Sequence, residues 1–178
     1  MIDKNRLPEF SSVHLPHELT MLRWTAVNVE ETTAEQHDAI LESWVIHLRN
    51  LINFFYRPGR PTDATAADFF DDPSTWKPAE PDELTKARDR AEKEISHITD
   101  QRKPLNDPNR GWDVKGLTKT IWETASRFAN HPSARHLSPE LKALFEGGDF
   151  ITGLSVATQA TVQQDRSLAP ASSPEHVA

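Results

Sequence analysis

The sequence predicts an all-α protein, an antiparallel helical bundle of about four to six helices with a disordered C-terminal tail. Residues 39–56 are the longest strongly apolar segment, and at helical spacing most of their large side chains fall on one side. Two later segments, 82–102 and 113–129, repeat that spacing, and no segment alternates as a half-buried strand does. We therefore expect a helical bundle domain over residues 1–160 and a tail over 161–178, which is rich in Ala, Ser, Pro and charge.

The central helix is predicted over residues 33–57. Its apolar residues cover a continuous arc of roughly 160°, which is too wide for a coiled-coil seam and fits a helix packed against two or more neighbours. The arc consists of Ile40, Leu41, Trp44, Val45, Leu48, Leu51, Ile52, Phe55 and Tyr56. Thr33 followed by Gln36 has the form of a capping box, and Pro58-Gly59 ends the helix.

The segment before the central helix has a weaker pattern. Residues 1–13 carry no helical periodicity, so we expect them to be loose. A short helix follows, lined by Leu19, Leu22 and either Val27 or Trp24.

The segment after the central helix is a loop followed by a Pro-rich connector. Asp63 is a suitable N-cap for one short helical turn, in which Phe69 and Phe70 are expected to plug the core. Trp76 lies in the connector, and we expect it to pack as a lid on the bundle.

Two further core helices and one short helix complete the predicted bundle. The second core helix spans residues 82–102, because Lys103-Pro104 ends the pattern. Its narrow apolar stripe consists of Leu84, Ala87, Ala91, Ile95 and Ile98. The third core helix spans residues 113–129, and Ser138-Pro139 opens the short helix with an N-cap and a first-position proline.

Composition excludes several classes of function. The net charge of −7 lacks the positive field that draws proteins to nucleic acid, so we expect no nucleic-acid partner except RNA under the ribonuclease alternative below. The absence of cysteine excludes disulfides and thiol chemistry and agrees with a reducing cytoplasm, where we place the protein. No segment approaches the roughly 18 apolar residues that span a bilayer, and the N-terminus lacks the apolar core of a secretion signal.

Neither a metal nor another cofactor is expected. Glu94 and His97 have the i, i+3 spacing that ligates iron in some four-helix bundles, but a di-iron site needs a second such pair and the sequence has none. His14 and His17 are separated by Pro16, and no third ligand lies near them.

One set of polar residues stands out, because two core helices each carry an acid, a His and an Arg close to their apolar faces. The set consists of Glu42, His47, Arg49 and Asn50 on the central helix and of Glu94, His97, Thr99 and Arg102 on the next core helix. The His and Arg residues are candidate catalytic residues, and the other four are candidate binding residues.

Two interpretations of this set remain open. In the structural one, Arg49 pairs with Glu42 or with an acid on the next helix, and Arg102 neutralises a helix C-terminus. In the functional one, the two helices bring Arg and His together in a groove. His47 and Arg49 lie about 160° apart around the helix axis, so they should share a site only if the helix bends.

Three stretches of the sequence resemble a known pattern. They are Glu42-x4-His47-Leu-Arg49-Asn50-Leu-x2-Phe54-Phe55, Asp63-x4-Asp68-Phe69 and Lys93-x3-His97-Ile-Thr99-x2-Arg102. Covering roughly residues 39–122, they resemble an uncharacterised bacterial family of all-helical proteins whose layout is similar to that of HEPN bundles.

The HEPN resemblance implies a specific activity. Many HEPN proteins are metal-independent ribonucleases of toxin–antitoxin and phage-defence systems, with an Arg-polar-x3–4-His motif that acts across a dimer. Arg49-Asn50 resembles the start of that motif, but Phe54 and Phe55 occupy the positions where its His would fall.

The sequence leaves open whether the protein is an enzyme. We predict a non-enzymatic bundle that acts through protein–protein contacts, with a partner protein or as a homodimer, because Ile46 and Phe54 lie on the otherwise polar side of the central helix. The alternative is a degenerate HEPN-type ribonuclease or a toxin or defence component, which would bind RNA. A bundle that binds a small molecule is a third alternative.

Overall fold

Helices account for all the regular secondary structure in the described part of the computed structural model, which comprises residues 3–32, 34–95 and 111–146 with Asp100 and Asp107. The α-helices are α1 (Leu7–Glu9), α2 (Leu15–Asn28), α3 (Ala34–Tyr56), α4 (Asp82–Glu94), α5 (Val114–Ala129) and α6 (Pro139–Ala143). Short 3-10 turns occur at Lys4–Arg6, Val29–Glu31, Ala66–Phe69 and Pro73–Thr75. The all-α fold class is confirmed. Within these ranges no helix has the length and apolar character that crossing a membrane requires. The predicted C-terminal tail lies outside the described residues.

Helix α3 is the centre of the bundle, as the sequence predicted. It packs against α2, α4 and α5, and its bounds agree with the prediction to within one residue at each end. The fully enclosed part of the predicted arc consists of Trp44, Val45, Leu48, Leu51, Ile52 and Phe55. Thr33, the first residue of the predicted capping box, lies outside the described residues.

The four longest helices alternate in direction. A short connection turns α2 back into α3. Arg49 contacts Glu92 near the end of α4, whereas Arg57, just beyond α3, contacts Glu80, which precedes α4, so α3 and α4 are antiparallel.

Helices α3 and α5 run in the same direction. The Nε1 atom of Trp44 donates to Thr118 Oγ1 at 2.9 Å. Nearer the C-terminal ends of both helices, Tyr56 Oη lies 2.7 Å from Thr124 Oγ1. This order follows from up-down-up-down connectivity, in which every second helix is parallel.

An aromatic cluster closes the end of the bundle where α3 ends. Ring centroids of five residues lie 5.3–6.2 Å from that of Phe128, namely Phe54, Phe55, Phe69, Phe70 and Trp76. The predicted roles of Phe69, Phe70 and Trp76 are confirmed, because all three are buried. Trp76 also donates from Nε1 to the carbonyl oxygen of Phe55 at 2.9 Å.

Phe54 lies on the otherwise polar side of α3 and contacts other parts of the same chain. It is half-buried, and its ring packs edge-on against the rings of Phe55, Phe69 and Phe128. Phe54 therefore does not support a homodimer, because the connector after α3 folds back over its ring. Ile46 does face solvent and is 48% exposed.

The prediction of a loose N-terminus was also wrong. From residue 4 onward the chain is helical, and a π-helical turn, Phe10–His14, leads directly into α2. Ser11 in that turn is buried, and Ser138 before α6 donates from its backbone N to Ser11 Oγ at 2.6 Å and from its Oγ to the Ser11 carbonyl at 2.9 Å. These bonds join residues far apart in sequence, so local periodicity could not predict them.

Helix α2 is longer than the short helix that the sequence predicted. Leu19 and Leu22 face the core, as expected, whereas Trp24 is 38% exposed. Of the two alternatives for the third lining residue, Trp24 is therefore excluded and Val27 is half-buried.

Helix α4 ends at Glu94, not at Arg102 as predicted. The predicted apolar stripe is buried only as far as Ala91, and Ile95 is already half-buried. Ile98, the last residue of the predicted stripe, lies outside the described residues.

The short turn after α3 has a different N-cap from the predicted one. Thr65 caps Ala66–Phe69, and the carboxylate of Asp68 accepts from the Thr65 backbone N at 2.8 Å to complete a capping box. Asp63, the predicted cap, instead accepts from the backbone N of Arg60 at 3.0 Å and closes the preceding loop.

Helices α5 and α6 begin where the sequence predicted. Asp113 caps α5 by accepting from the backbone N of Gly116 at 2.9 Å. Ser138 caps α6 by accepting from the backbone N of Leu141 at 3.2 Å.

Candidate functional site

His47 contacts α2. Its Nδ1 lies 2.8 Å from Glu18 Oε2, and Asn50 donates from Nδ2 to the same oxygen at 3.2 Å. The edge of the His17 ring packs against His47, with centroids 5.9 Å apart. The His47 side chain is only 13% exposed, so this residue joins two helices more than it faces solvent.

The carboxylate of Glu18 is favoured in its charged form. Burial alone raises the pKa of Glu18, but hydrogen bonds from His47 and Asn50 outweigh burial and leave the pKa below its usual value. The interaction therefore stabilises the packing of α2 on α3 whenever Glu18 is ionised.

Arg49 contacts α4, on the other side of the central helix. Its Nε and Nη2 lie 2.8 Å and 2.6 Å from Glu92 Oε1. The expected pairing of Arg49 with an acid on the next helix is thus confirmed, whereas Glu42, the other expected partner, is exposed to solvent. His47 and Arg49 bind different helices, as their angular separation on α3 predicted.

The candidate residues on the second core helix are only partly described. His97, Thr99 and Arg102 lie outside the described residues. Glu94 forms an ion pair with Arg90 one turn earlier, at 2.8 Å, and both side chains are mostly buried. Arg90 also stacks on the ring of Trp112, with its guanidinium carbon 4.0 Å from the ring centroid, so Glu94 helps to anchor the start of the α5 region.

A groove of about 850 Å³ opens on the surface between α2, α3 and α4. It begins at the π-helical turn, follows the second half of α3 and ends at the loop of residues 57–65. Its lining includes four arginines, namely Arg49, Arg57, Arg60 and Arg88, and we call it the arginine groove. Two candidate residues from the sequence, Arg49 and Asn50, line it.

The spacing of residues on α3 explains how one helix supplies so much of this lining. Asn50, Asn53, Phe54 and Arg57 follow the i, i+3, i+4, i+7 pattern and therefore share one face. Two amides and a guanidinium lie beside the half-buried Phe54 ring, so the lining combines hydrogen-bond donors with an apolar floor.

The four arginines differ in how well their charge is neutralised. Arg49 is paired with Glu92, and Arg57 donates from Nη2 to Glu80 Oε1 at 2.9 Å. Within the described part of the chain, Arg88 forms an ion pair with its chain neighbour Asp89, at 2.6 Å, and lowers the pKa of that carboxyl group.

Arg60 is the arginine whose guanidinium has no ion-pair partner among the described residues. The loop that carries it is nonetheless ordered by close contacts. A Cβ atom added at Gly59 would lie 2.7 Å from Thr65 Cγ2, so only glycine allows this approach without a shift. Asp63 closes the other side of the loop through the backbone N of Arg60. Arg60 is therefore presented to the groove by a fixed loop.

The sequence analysis missed Asn53, Arg57, Arg60 and Arg88 as site residues. The signal that could have found Asn53 and Arg57 is their helical spacing from Asn50. Arg60 lies in a predicted loop and Arg88 lies outside the apolar stripe of its helix, so no pattern in the sequence singled out either residue.

The fold and the site define an all-α bundle with an arginine-lined surface groove. No protein-family model, no curated protein and no solved structure matches this chain. The function is therefore argued from the geometry of the groove.

Proposed function

We propose that this protein is a binding module that takes a segment of a partner protein in the arginine groove. The observation that carries the proposal is the groove itself, with about 850 Å³ of space and a lining of guanidinium and amide groups beside Phe54. Its volume lies in the upper part of the range for specific ligand sites. A groove that runs along a helix suits an extended segment, because successive groups of the segment can form hydrogen bonds with the side-chain amides of Asn50 and Asn53.

The contacts of the original candidate residues support binding over catalysis. His47 and Arg49 are each held by a carboxylate from a neighbouring helix, Glu18 and Glu92 respectively. His47 is only 13% exposed and is not among the residues that line the groove, whereas a general base must reach its substrate proton.

The degenerate HEPN-type ribonuclease, or toxin or defence component, is the alternative proposal. Its favourable feature is that Arg49 and Asn50, which resemble the start of the HEPN motif, both line the groove. Its unfavourable feature is Phe55, which replaces a possible motif His and is buried in the aromatic cluster. Incubation with mixed RNA separates the two proposals. Cleavage that is lost in both His97→Ala and Arg49→Ala would replace the binding proposal by the enzymatic one.

The compartment is part of the proposal. We place the protein in the bacterial cytoplasm, because a chain without cysteine suits a reducing compartment.

Selection of displayed random dodecapeptides tests the binding proposal. The wild type is the target, and Asn53→Trp, which fills the groove from its half-buried central position, is the matched non-binder. Lys119→Trp places the same bulk on the exposed face of α5, outside the groove, and serves as the control. Circular dichroism establishes that each variant is folded.

We expect selected peptides to bind the wild type and Lys119→Trp with similar affinity and to bind Asn53→Trp about tenfold more weakly or worse. Peptides that bind all three proteins equally, or a selection that yields no binder, would overturn the proposal.

A further inference from the structure

Hydrogen-bonding groups without an internal partner converge on the arginine groove. The side-chain amide of Asn53 makes no hydrogen bond within the described part of the chain, although the residue is half-buried. The guanidinium of Arg60 likewise has no ion-pair partner there. Both residues line the groove. Both groups reach solvent, so both are available to a ligand that enters the groove.

Arg88 is the third incompletely satisfied group. Among the described residues its buried Nε has no hydrogen-bond partner, and its Nη2 lies 2.6 Å from Oδ1 of the half-exposed Asp89. The Asp89 side chain is 49% exposed, so this ion pair is open to solvent and contributes little to stability. Arg88 lies on α4 between Glu80, which pairs with Arg57, and Glu92, which pairs with Arg49.

From this arrangement we infer that the partner segment is acidic and that its carboxylates bind Arg60 and Arg88, with Asn53 bonding the backbone or a carboxylate between them. The inference rests on the proposed function and names the chemistry of its partner. Guanidinium groups bind carboxylates through charge-assisted hydrogen bonds. Arg60 has its whole guanidinium available for such bonds, whereas Arg88 would exchange its contact with Asp89 for a carboxylate of the segment.

The charge of the whole chain favours a peptide over a nucleic acid. With a net charge of −7, the chain repels a long polyanion, whose affinity depends on many phosphate contacts. A short acidic segment is affected mainly by the charges inside the groove, because salt screens the rest of the surface beyond about 8 Å. Three carboxylates also line the groove, and each is already engaged, Glu18 by His47, Glu92 by Arg49 and Asp63 by the backbone N of Arg60. Phe54 and Leu51 on the floor also suit apolar side chains of a peptide.

The peptides obtained by selection on the wild type provide the test. We expect them to be enriched in Asp and Glu relative to the starting library. Their affinity, measured by fluorescence anisotropy, should fall about tenfold or more in the double variant Arg60→Gln, Arg88→Gln. Arg135→Gln removes one positive charge from an exposed residue outside the groove and should change the affinity less than about twofold. If the double variant does not fold, Arg60→Gln alone supplies the measurement, because Arg60 lies in an exposed loop.

Competitors distinguish the sources of negative charge. Free oligo-glutamate should displace the bound peptides, whereas inorganic phosphate and a single-stranded oligouridine should do so only at much higher concentration. Selected peptides that are neutral and insensitive to Arg60→Gln would overturn the inference and leave the binding proposal intact. Oligouridine that binds the groove more tightly than the peptides would overturn it in favour of nucleic acid. A selection without any groove-dependent peptide would refute the proposed function itself.

Discussion

Thr118 and Trp44 form the buried hydrogen bond that joins the two parallel helices of the core, and its removal makes a quantitative prediction. Both residues are fully buried. Thr118 Oγ1 accepts from Trp44 Nε1 at 2.9 Å and donates to the carbonyl oxygen of Val114 at 2.6 Å. Thr118→Val preserves the shape of the side chain and leaves the indole N–H as a buried donor without an acceptor.

The expected loss follows from the asymmetry of such bonds. A buried donor without an acceptor costs about 1–3 kcal/mol, whereas the Val114 carbonyl keeps its helical backbone bond. The extra buried methyl group offsets up to about 0.8 kcal/mol. We therefore expect Thr118→Val to lower the free energy of unfolding by about 1–2 kcal/mol, measured by urea titration with far-UV circular dichroism.

A double-mutant cycle separates the hydrogen bond from simple changes in packing. Trp44→Phe removes the donor, so Thr118→Val should then have little effect, and the coupling energy of the pair should be about 1–2 kcal/mol. A coupling energy below about 0.5 kcal/mol would refute the reasoning that an unpaired indole N–H governs the loss.

Three further predictions follow from the contacts of the bundle. Because the pKa of Glu18 is lowered in the folded state, its carboxylate stabilises the fold above the unfolded value of about 4.3, and that contribution is lost as the pH falls through the folded pKa. Urea titrations should therefore show that Glu18→Gln is most destabilising near neutral pH and less so near pH 3. A difference in the free energy of unfolding between the wild type and Glu18→Gln that is larger at pH 3 than at neutral pH would contradict the role of the His47 bond. Trp76→Phe leaves the carbonyl of Phe55, in the last turn of α3, without its donor and should cost about 1–3 kcal/mol in thermal unfolding, whereas a loss below about 0.5 kcal/mol would contradict this account. If the exposed Ile46 face forms a homodimer, sedimentation equilibrium should show a wild-type dimer that Ile46→Asp dissociates, and a wild type that is monomeric at high concentration would exclude it.

The candidate site was predictable only in part. The sequence analysis selected Arg49 and Asn50, which line the groove, because they flank the apolar arc of α3. It grouped them with His47, whose ring faces α2 instead, and it passed over Arg60 and Arg88. Distance along one helix face can be counted from the sequence, whereas the approach of a loop and a second helix to that face cannot.

The sequence by itself determined the all-α class and the position of α3, because a wide apolar arc at helical spacing is a local property that needs no knowledge of neighbours. It also determined that Phe69, Phe70 and Trp76 belong to the core, since large apolar side chains in a short connector have few other places to pack.

The tertiary structure alone decided which polar groups meet. Ser11 and Ser138, far apart in the chain, order the N-terminal helical turns through direct hydrogen bonds. The connector folds back over Phe54 and leaves its side chain half-buried. Each outcome depends on contacts between distant segments, and such contacts form only after the intervening chain has closed into a loop.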